Sequence, residues 1–343
     1  MANFDTSNLV TAQTIIDDKY AQPEMRLRPY PVTRLMVGNT PFMVANLNEI
    51  KTRDDRTFEV HLLSRTKRST GSSRTHNHTG TLDDSQKVTP TFTTYSDVTS
   101  ISLKLLDKSV FDFNTVLANK LAQCMMNILE DIEVDNVAWL LTNKTQYSQT
   151  LKGQVSFNTT NDFVEIAATS DNKPRIYQLA KSALYQNFYS GEYDFVADNQ
   201  LAVEAAYLAA QGSGNSANTA FQFMGINLAE SNTLADANYT KGVLVGMPAK
   251  SICSLAWIPQ QNRMGWGDYN SYVGGFGVMS DPWGLGLQFA VHGYASRTDT
   301  SASNGDTQDV TMEFEVSLDI SNNKAPLSGG NNETVIFAMG LTA

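Results

Sequence analysis

Between Leu63 and Leu82 the chain has no aliphatic or aromatic residue. Within that gap the stretch RTKRSTGSSRTHNHTG, residues 65–80, carries Arg65, Lys67, Arg68 and Arg74, with His76 and His78 and no acid. A segment of this kind has no apolar surface to bury, so it cannot form part of a core. Its flanks differ. TFEVHLL (57–63) alternates Phe58, Val60 and Leu62, and VTPTFTTYSDVTSISLKLLD returns with Ile101, Leu103 and Leu105 alternating among many Thr and Val. Two β-rich arms around a polar tip predict a long hairpin, with Pro90 confining its own stretch to an edge. The tip must project, to meet nucleic acid, a metal or neighbouring protein.

The rest of the chain weighs these three. Its formal net charge is -10, and an acidic balance argues against phosphate-driven binding as the main task. Charged residues are only 17%, and Asn, Thr, Ser and Gln take their place. That suits a surface covered by other protein. The acids are also concentrated. From Met264 onward only Arg297 and Lys324 are basic, against Asp268, Asp281, Asp299, Asp306, Asp309, Glu313, Glu315, Asp319 and Glu333. The basic tip lacks an aromatic residue on which a base could stack, so pairing with acids of another subunit is the favoured role.

Chemistry finds little support. His76 and His78 have no further ligands at metal-site spacing. Cys124 and Cys253 are far apart in apolar surroundings and predict buried thiols; a nucleophilic pair with His292 is the weaker reading. The glycine-rich GWGDYNSYVGGFGVMSDPWGLG matches no nucleotide-binding pattern and is expected to be an irregular loop with aromatic contacts through Trp266, Tyr269, Tyr272, Phe276 and Trp283. Glu130, Asp131, Glu133 and Asp135 are expected on a solvated or partner-facing helix stretch. No enzyme, cofactor or metal is expected. The N-terminus has no secretory signal pattern and no apolar run reaches membrane-spanning length, so the sequons at Asn77, Asn143, Asn158, Asn238 and Asn332 are expected to reflect composition, and folding in a reducing cytoplasm is expected.

Coarse elements follow from periodicity. Residues 1–55 show no sustained period, and Pro23, Pro29, Pro31 and Pro41 predict an extended arm. Leu117, Leu121, Met125, Ile128 and Ile132 predict one long helix over 113–145. RIYQLAKSALYQNFY and NQLAVEAAYLAAQG predict helices, the second capped by Asp198 or Asn199 and ended near Gly212. EYDFVAD, FQFMGINLAES, KGVLVGMPAKSICSLAWIP, LGLQFAVHGYAS and TVIFAMGL predict strands. VTMEFEVSLDI is the clearest, with Val310, Met312, Phe314, Val316, Leu318 and Ile320 on one face and polar residues on the other. The class is α+β.

An arm, a projecting hairpin, a long helix, an inserted α/β lobe and returning strands, in that order, resemble the HK97-like major capsid proteins of tailed bacteriophages. DFVADNQLAVEAAYLAAQGSGNSANTAFQFMGINLAESNTL is similar to their axial-domain sequence, and LGLQFAVHGYASR with TMEFEVSLDIS to their closing strands. The resemblance rests on architecture and texture along nearly the whole chain, not on an invariant motif. It implies an N-terminal arm at 1–55, an extension loop at 56–106, a peripheral domain at 107–173 and 306–343 with its spine helix at 113–145, and an axial domain at 174–305. It also implies a self-assembling icosahedral shell of hexamers and pentamers around double-stranded DNA, with a separate scaffolding protein and a portal. Arg65, Lys67, Arg68 and Arg74 would then contact a neighbouring subunit. An encapsulin-like compartment would share the fold. A β-rich tail or extracellular protein would share the Thr/Asn texture but not the long helix.

Overall fold

The alternation centred on residues 310–320 organises the molecule, because it commits one strand to burying a single face along its length. The computed structural model of the chain describes residues 6–20, 30–43, 60–63, 85–102, 111–144, 151–153, 155–167, 169, 175–186, 191–212, 226–271, 273–299, 308–324 and 336–342. Helices α1 (Thr6–Tyr20) and α2 (Pro31–Met43) open the chain. The short strands β1 (Val60–Leu63) and β2 (Ser85–Val88), the longer β3 (Thr93–Ser102) and the long helix α3 (Phe113–Thr142) follow. Next come β4 (Val155–Asn158), β5 (Phe163–Ala167), α4 (Ile176–Gln186), β6 (Tyr193–Asp198), α5 (Asn199–Gly212) and β7 (Ile226–Ser231). Then β8 (Val243–Pro248), β9 (Ile252–Trp257), α6 (Gln260–Met264), β10 (Gly267–Asp268) and β11 (Gly274–Ser280) lead to β12 (Gln288–Asp299), β13 (Gln308–Lys324) and β14 (Phe337–Thr342).

The first large sheet is antiparallel in the order β10-β11-β12-β13-β3, with β9 pairing the far end of β13. Met312, Phe314, Val316 and Leu318 of β13 are buried against Leu117, Leu121, Met125 and Ile128 of α3 and against Leu9, Ile16 and Tyr20 of α1. The second sheet runs β4-β5-β14-β8-β6-β7 and mixes parallel with antiparallel pairs. It is buried on both faces: α4 and α5 cover Phe195, Leu244 and Met339, while α2 and the end of α3 cover Val196, Val245 and Ala338. Its strands are accordingly near-continuous apolar runs. The pairing therefore joins 252–299 to 308–324 in one sheet, and 337–342 to 155–248 in the other.

Two expectations are corrected here. Residues 1–55 were expected to be extended, yet 6–20 and 31–43 are helical. Leu9, Ala12, Ile16 and Tyr20 recur at helical spacing and all are buried. Pro31 occupies the first helical position, where a missing N–H costs nothing, and Pro41 falls in the last turn. The glycine-rich stretch was expected to be a loop, yet it forms the β10–β11 hairpin, with Gly267 opposite Gly275. The glycines make room. A Cβ on Gly275 would lie 2.6 Å from the Tyr269 ring and one on Gly293 would lie 3.2 Å from it, so glycine lets these strands pass close to a buried tyrosine. The return arm of the long hairpin also divides: β2 pairs β1, while β3, beyond Pro90, pairs β13.

Candidate functional site

The basic stretch lies outside the described residues, and with it Arg65, Lys67, Arg68 and Arg74, and His76 and His78. Its ends are placed. Val60 pairs Val88 and Leu63 pairs Ser85 in an antiparallel ladder, so residues 64–84 leave and re-enter at one closed strand end.

The acids expected to face a partner are not equivalent. Asp281 is consumed locally: its carboxylate accepts the backbone N–H groups of Trp283, Leu285, Gly286 and Leu287, at 2.8–3.2 Å. Asp319 is buried at 3% exposure. Asp268 accepts from the backbone and side chain of Asn270 in its own turn. Asp306 and Glu333 lie outside the described residues. Glu313 and Glu315 of β13 remain on the face opposite α3, where Glu313 accepts the Tyr294 hydroxyl and Glu315 is exposed.

That outer face has an ordered chemistry. Cross-strand register places Phe276, His292, Glu315 and Val98 in one row across β11, β12, β13 and β3, and Trp266 joins it where its carbonyl accepts the Phe276 N–H at 2.8 Å. Residues opposite each other across antiparallel strands share a face. The Phe276 and His292 rings stack at 4.4 Å, and Tyr294 lies 5.9 Å from His292. Trp266 is 55% exposed and Val98 65%. No lysine or arginine occupies this row or the next, Tyr294–Glu313–Ser100.

A second feature was not visible in the sequence. Glu133, expected on a solvated stretch of α3, is buried, and this is a correction. Its carboxylate accepts the backbone N–H groups of Val32 and Thr33 at 3.0 and 2.8 Å and the Thr33 hydroxyl at 2.7 Å. Those are free donors of the first turn of α2, so a glutamate from another helix provides the cap. From Thr33 the network runs to Asn136, Asn322 and Ser254, and Thr40 returns to the Ser254 carbonyl. Near the other end of α2, Asn39 donates to buried Asp194, which also accepts from Asn227 and the Lys250 backbone. The α2 helix is thus the polar joint between α3 and both sheets.

Reactive chemistry is weak at every described candidate. Cys124 and Cys253 are buried thiols, each pushed up to about 12, chiefly by burial. His292 is held in its aromatic stack, with Nε2 3.2 Å from the Val273 carbonyl. Among the described residues no group of three or more His, Cys, Asp or Glu is arranged to hold a metal, and no helix is long and apolar enough to cross a membrane.

No protein-family model and no curated protein matches the sequence. Solved structures do. A chain from Mycobacterium phage Che8 superposes with a TM-score of 0.51 at 11% identity, covering 89% of this chain and 90% of that one. The asymmetric unit of the bacteriophage PhiM1 mature capsid gives 0.45 at 11% identity over 85% and 84%. The capsid of a native GTA particle gives 0.40 at 14% over 87% and 90%. At 11% identity the Che8 likeness is one of fold, and it runs along nearly the whole of both chains. In this chain the shared fold is a long helix laid on an antiparallel sheet and joined to a second, mixed sheet.

Proposed function

We propose that the chain is the major structural subunit of a phage head, assembling with copies of itself into an icosahedral shell of hexamers and pentamers around double-stranded DNA. The observation that carries this is the fold shared with a phage protein over 89% of the chain. The low charge content and the basic, hydrophobe-free stretch between paired strand ends support it, because both suit a surface met by other protein. Residues 1–55 then serve as the N-terminal arm and 56–106 as the extension loop. The division expected at 107–173 with 306–343 and at 174–305 is redrawn along the sheets: α3 with the first sheet is the peripheral domain, and the second sheet with α4 and α5 is the axial domain. Arg65, Lys67, Arg68 and Arg74 contact a neighbouring subunit. Scaffolding protein and portal are separate chains, and the mature protein resides in the virion after assembly in the host cytoplasm.

The test is the size of the purified protein at low and high salt, by sedimentation and negative-stain microscopy. Hexamers, pentamers or closed shells tens of nanometres across are expected, with assembly weakened as salt screens the exposed pairs. A monomer at every concentration and ionic strength overturns the shell reading.

A further inference from the structure

We propose that the groove between α1 and α3 is a binding site for an amphiphilic anion, a molecule with an aliphatic chain and a terminal carboxylate, sulfate or phosphate. The inference is independent of the shell reading and concerns a surface to which that reading gives no role.

The groove has the volume of a small-molecule site, about 520 Å³. Its two walls run in the same sense, since Asn8 donates to Asn114 at 2.9 Å and Lys19 to Asn119 at 3.3 Å. Along that direction the lining changes character. The first part is apolar: Phe111, 64% exposed, with Ile15 and Val116, over a floor closed by buried Ile16 and Ala118. The last part is polar, with Lys19, Asn119, Lys120 and Gln123. Among the described residues that line the groove there is no acid, and both charges are positive. An aliphatic chain laid on the first part leaves water, which favours its burial. Its anionic end then meets two ammonium groups and two side-chain amides, and bonds of that kind are charge-assisted. Lys19 is already drawn across to Asn119, and lysine stems lie along apolar surface while the ammonium stays at the rim. A bare anion would use only the polar end, and a cationic chain would meet like charge there. A protein helix fits less well. Docking of a helix in a groove uses anchors over several turns, and α1 contributes one, Ile15 to Lys19, about 6 Å long.

Calorimetric titration of the full-length protein tests it with dodecanoate, dodecyltrimethylammonium and inorganic phosphate, the two amphiphiles below their micelle concentrations. Dodecanoate is expected to bind saturably. The other two should bind roughly tenfold or more weakly, because one lacks the charge match and the other the chain. Lys19→Gln with Lys120→Gln is expected to weaken dodecanoate roughly tenfold while the melting temperature stays level, since both ammonium groups lie at the rim. Thr115→Trp, which sets a ring in the groove, is expected to abolish binding, and Gln123→Trp, at an exposed position, serves if that variant does not fold. Dodecanoate that binds the lysine variant as tightly as the wild type places the ligand elsewhere and overturns the site. Equal binding of the cationic chain reduces the groove to apolar adsorption, and equal binding of phosphate reduces it to bare charge; either overturns the amphiphilic anion. A wild type that shows no saturable binding of dodecanoate ends the proposal and leaves the shell reading as it stands.

Discussion

At the scale of single residues, Glu133 is the position where a small change should have the largest effect. A glutamine of the same shape cannot accept from both backbone donors with an amide nitrogen in place of one oxygen, so Glu133→Gln leaves a buried donor facing a donor. The expected cost is about 1–3 kcal/mol in denaturant unfolding, whereas exposed Asp131→Asn on the same helix should stay within about 0.5 kcal/mol. Equal effects would remove the tertiary cap from the account of α2. Alkaline pH probes the buried acids of the opposite kind. Cys124 and Cys253 rise from 9.0 to about 12 and Tyr269 from 10.0 to about 12, in each case mainly through burial. The unfolded chain ionises these groups first. Their contribution to stability is therefore intact below pH 9 and declines between about 9 and 12. Melting temperature should be level across that lower boundary and then fall, and thiol reagents at pH 8 should label neither cysteine until the protein unfolds.

At the scale of elements, the slot around Tyr269 makes a comparable demand on sequence. Gly275→Ala would set a methyl 2.6 Å from the ring, so it should destabilise by about 1–3 kcal/mol despite alanine's better backbone entropy. The same residues show what could be read in advance and what could not. The β13 alternation and the α3 period follow from one face meeting a core, and both were legible as such. The strand β6 and helix α5 were legible too, down to the Asp198 cap on the Leu201 N–H. The α2 helix was hidden because its cap comes from Glu133, a hundred residues away in sequence, and because Pro31 carries a breaker's signature while occupying the tolerated first position. The β10–β11 hairpin was hidden for a related reason: its glycines answer to a tyrosine they surround, a condition set only in three dimensions. The acids of the C-terminal region looked uniform in sequence; Glu315 and Asp319 share one face of β13, and only tertiary cover separates Glu315 on the surface from Asp319, which is buried where β9 pairs that end of the strand.

At the scale of the whole molecule, folding and assembly should be separable by two deletions that sequence alone would rank the wrong way round. An N-terminal arm suggests a dispensable extension, but Leu9, Ala12, Ile16, Tyr20 and Tyr30 sit in the core shared with α3 and the first sheet, and Val32 and Met36 in the core under the second. Trp283, held in the loop that Asp281 organises, packs its ring 5.3 Å from Tyr20 and 6.3 Å from Tyr30 and accepts Arg34 on its carbonyl. Removing residues 1–43 would strip all of this and leave Glu133 buried without its donors, so the truncated chain should be insoluble or molten, with near-ultraviolet circular dichroism lost. The basic stretch is the reverse case. The ladder closes at Leu63 and Ser85, and replacing residues 64–84 by Asn-Gly asks only for a two-residue hairpin turn between strands already paired. That variant should melt within a few degrees of the full chain yet sediment as single subunits at concentrations where the full chain forms shells. A truncated arm that still folds would detach α1 and α2 from the core, and an excised loop that still assembles would take the tip out of the subunit contacts. The pair is informative because both segments were expected to lie outside the core, and the packing of Tyr20, Tyr30 and Met36 separates the one that holds the fold from the one that reaches beyond it.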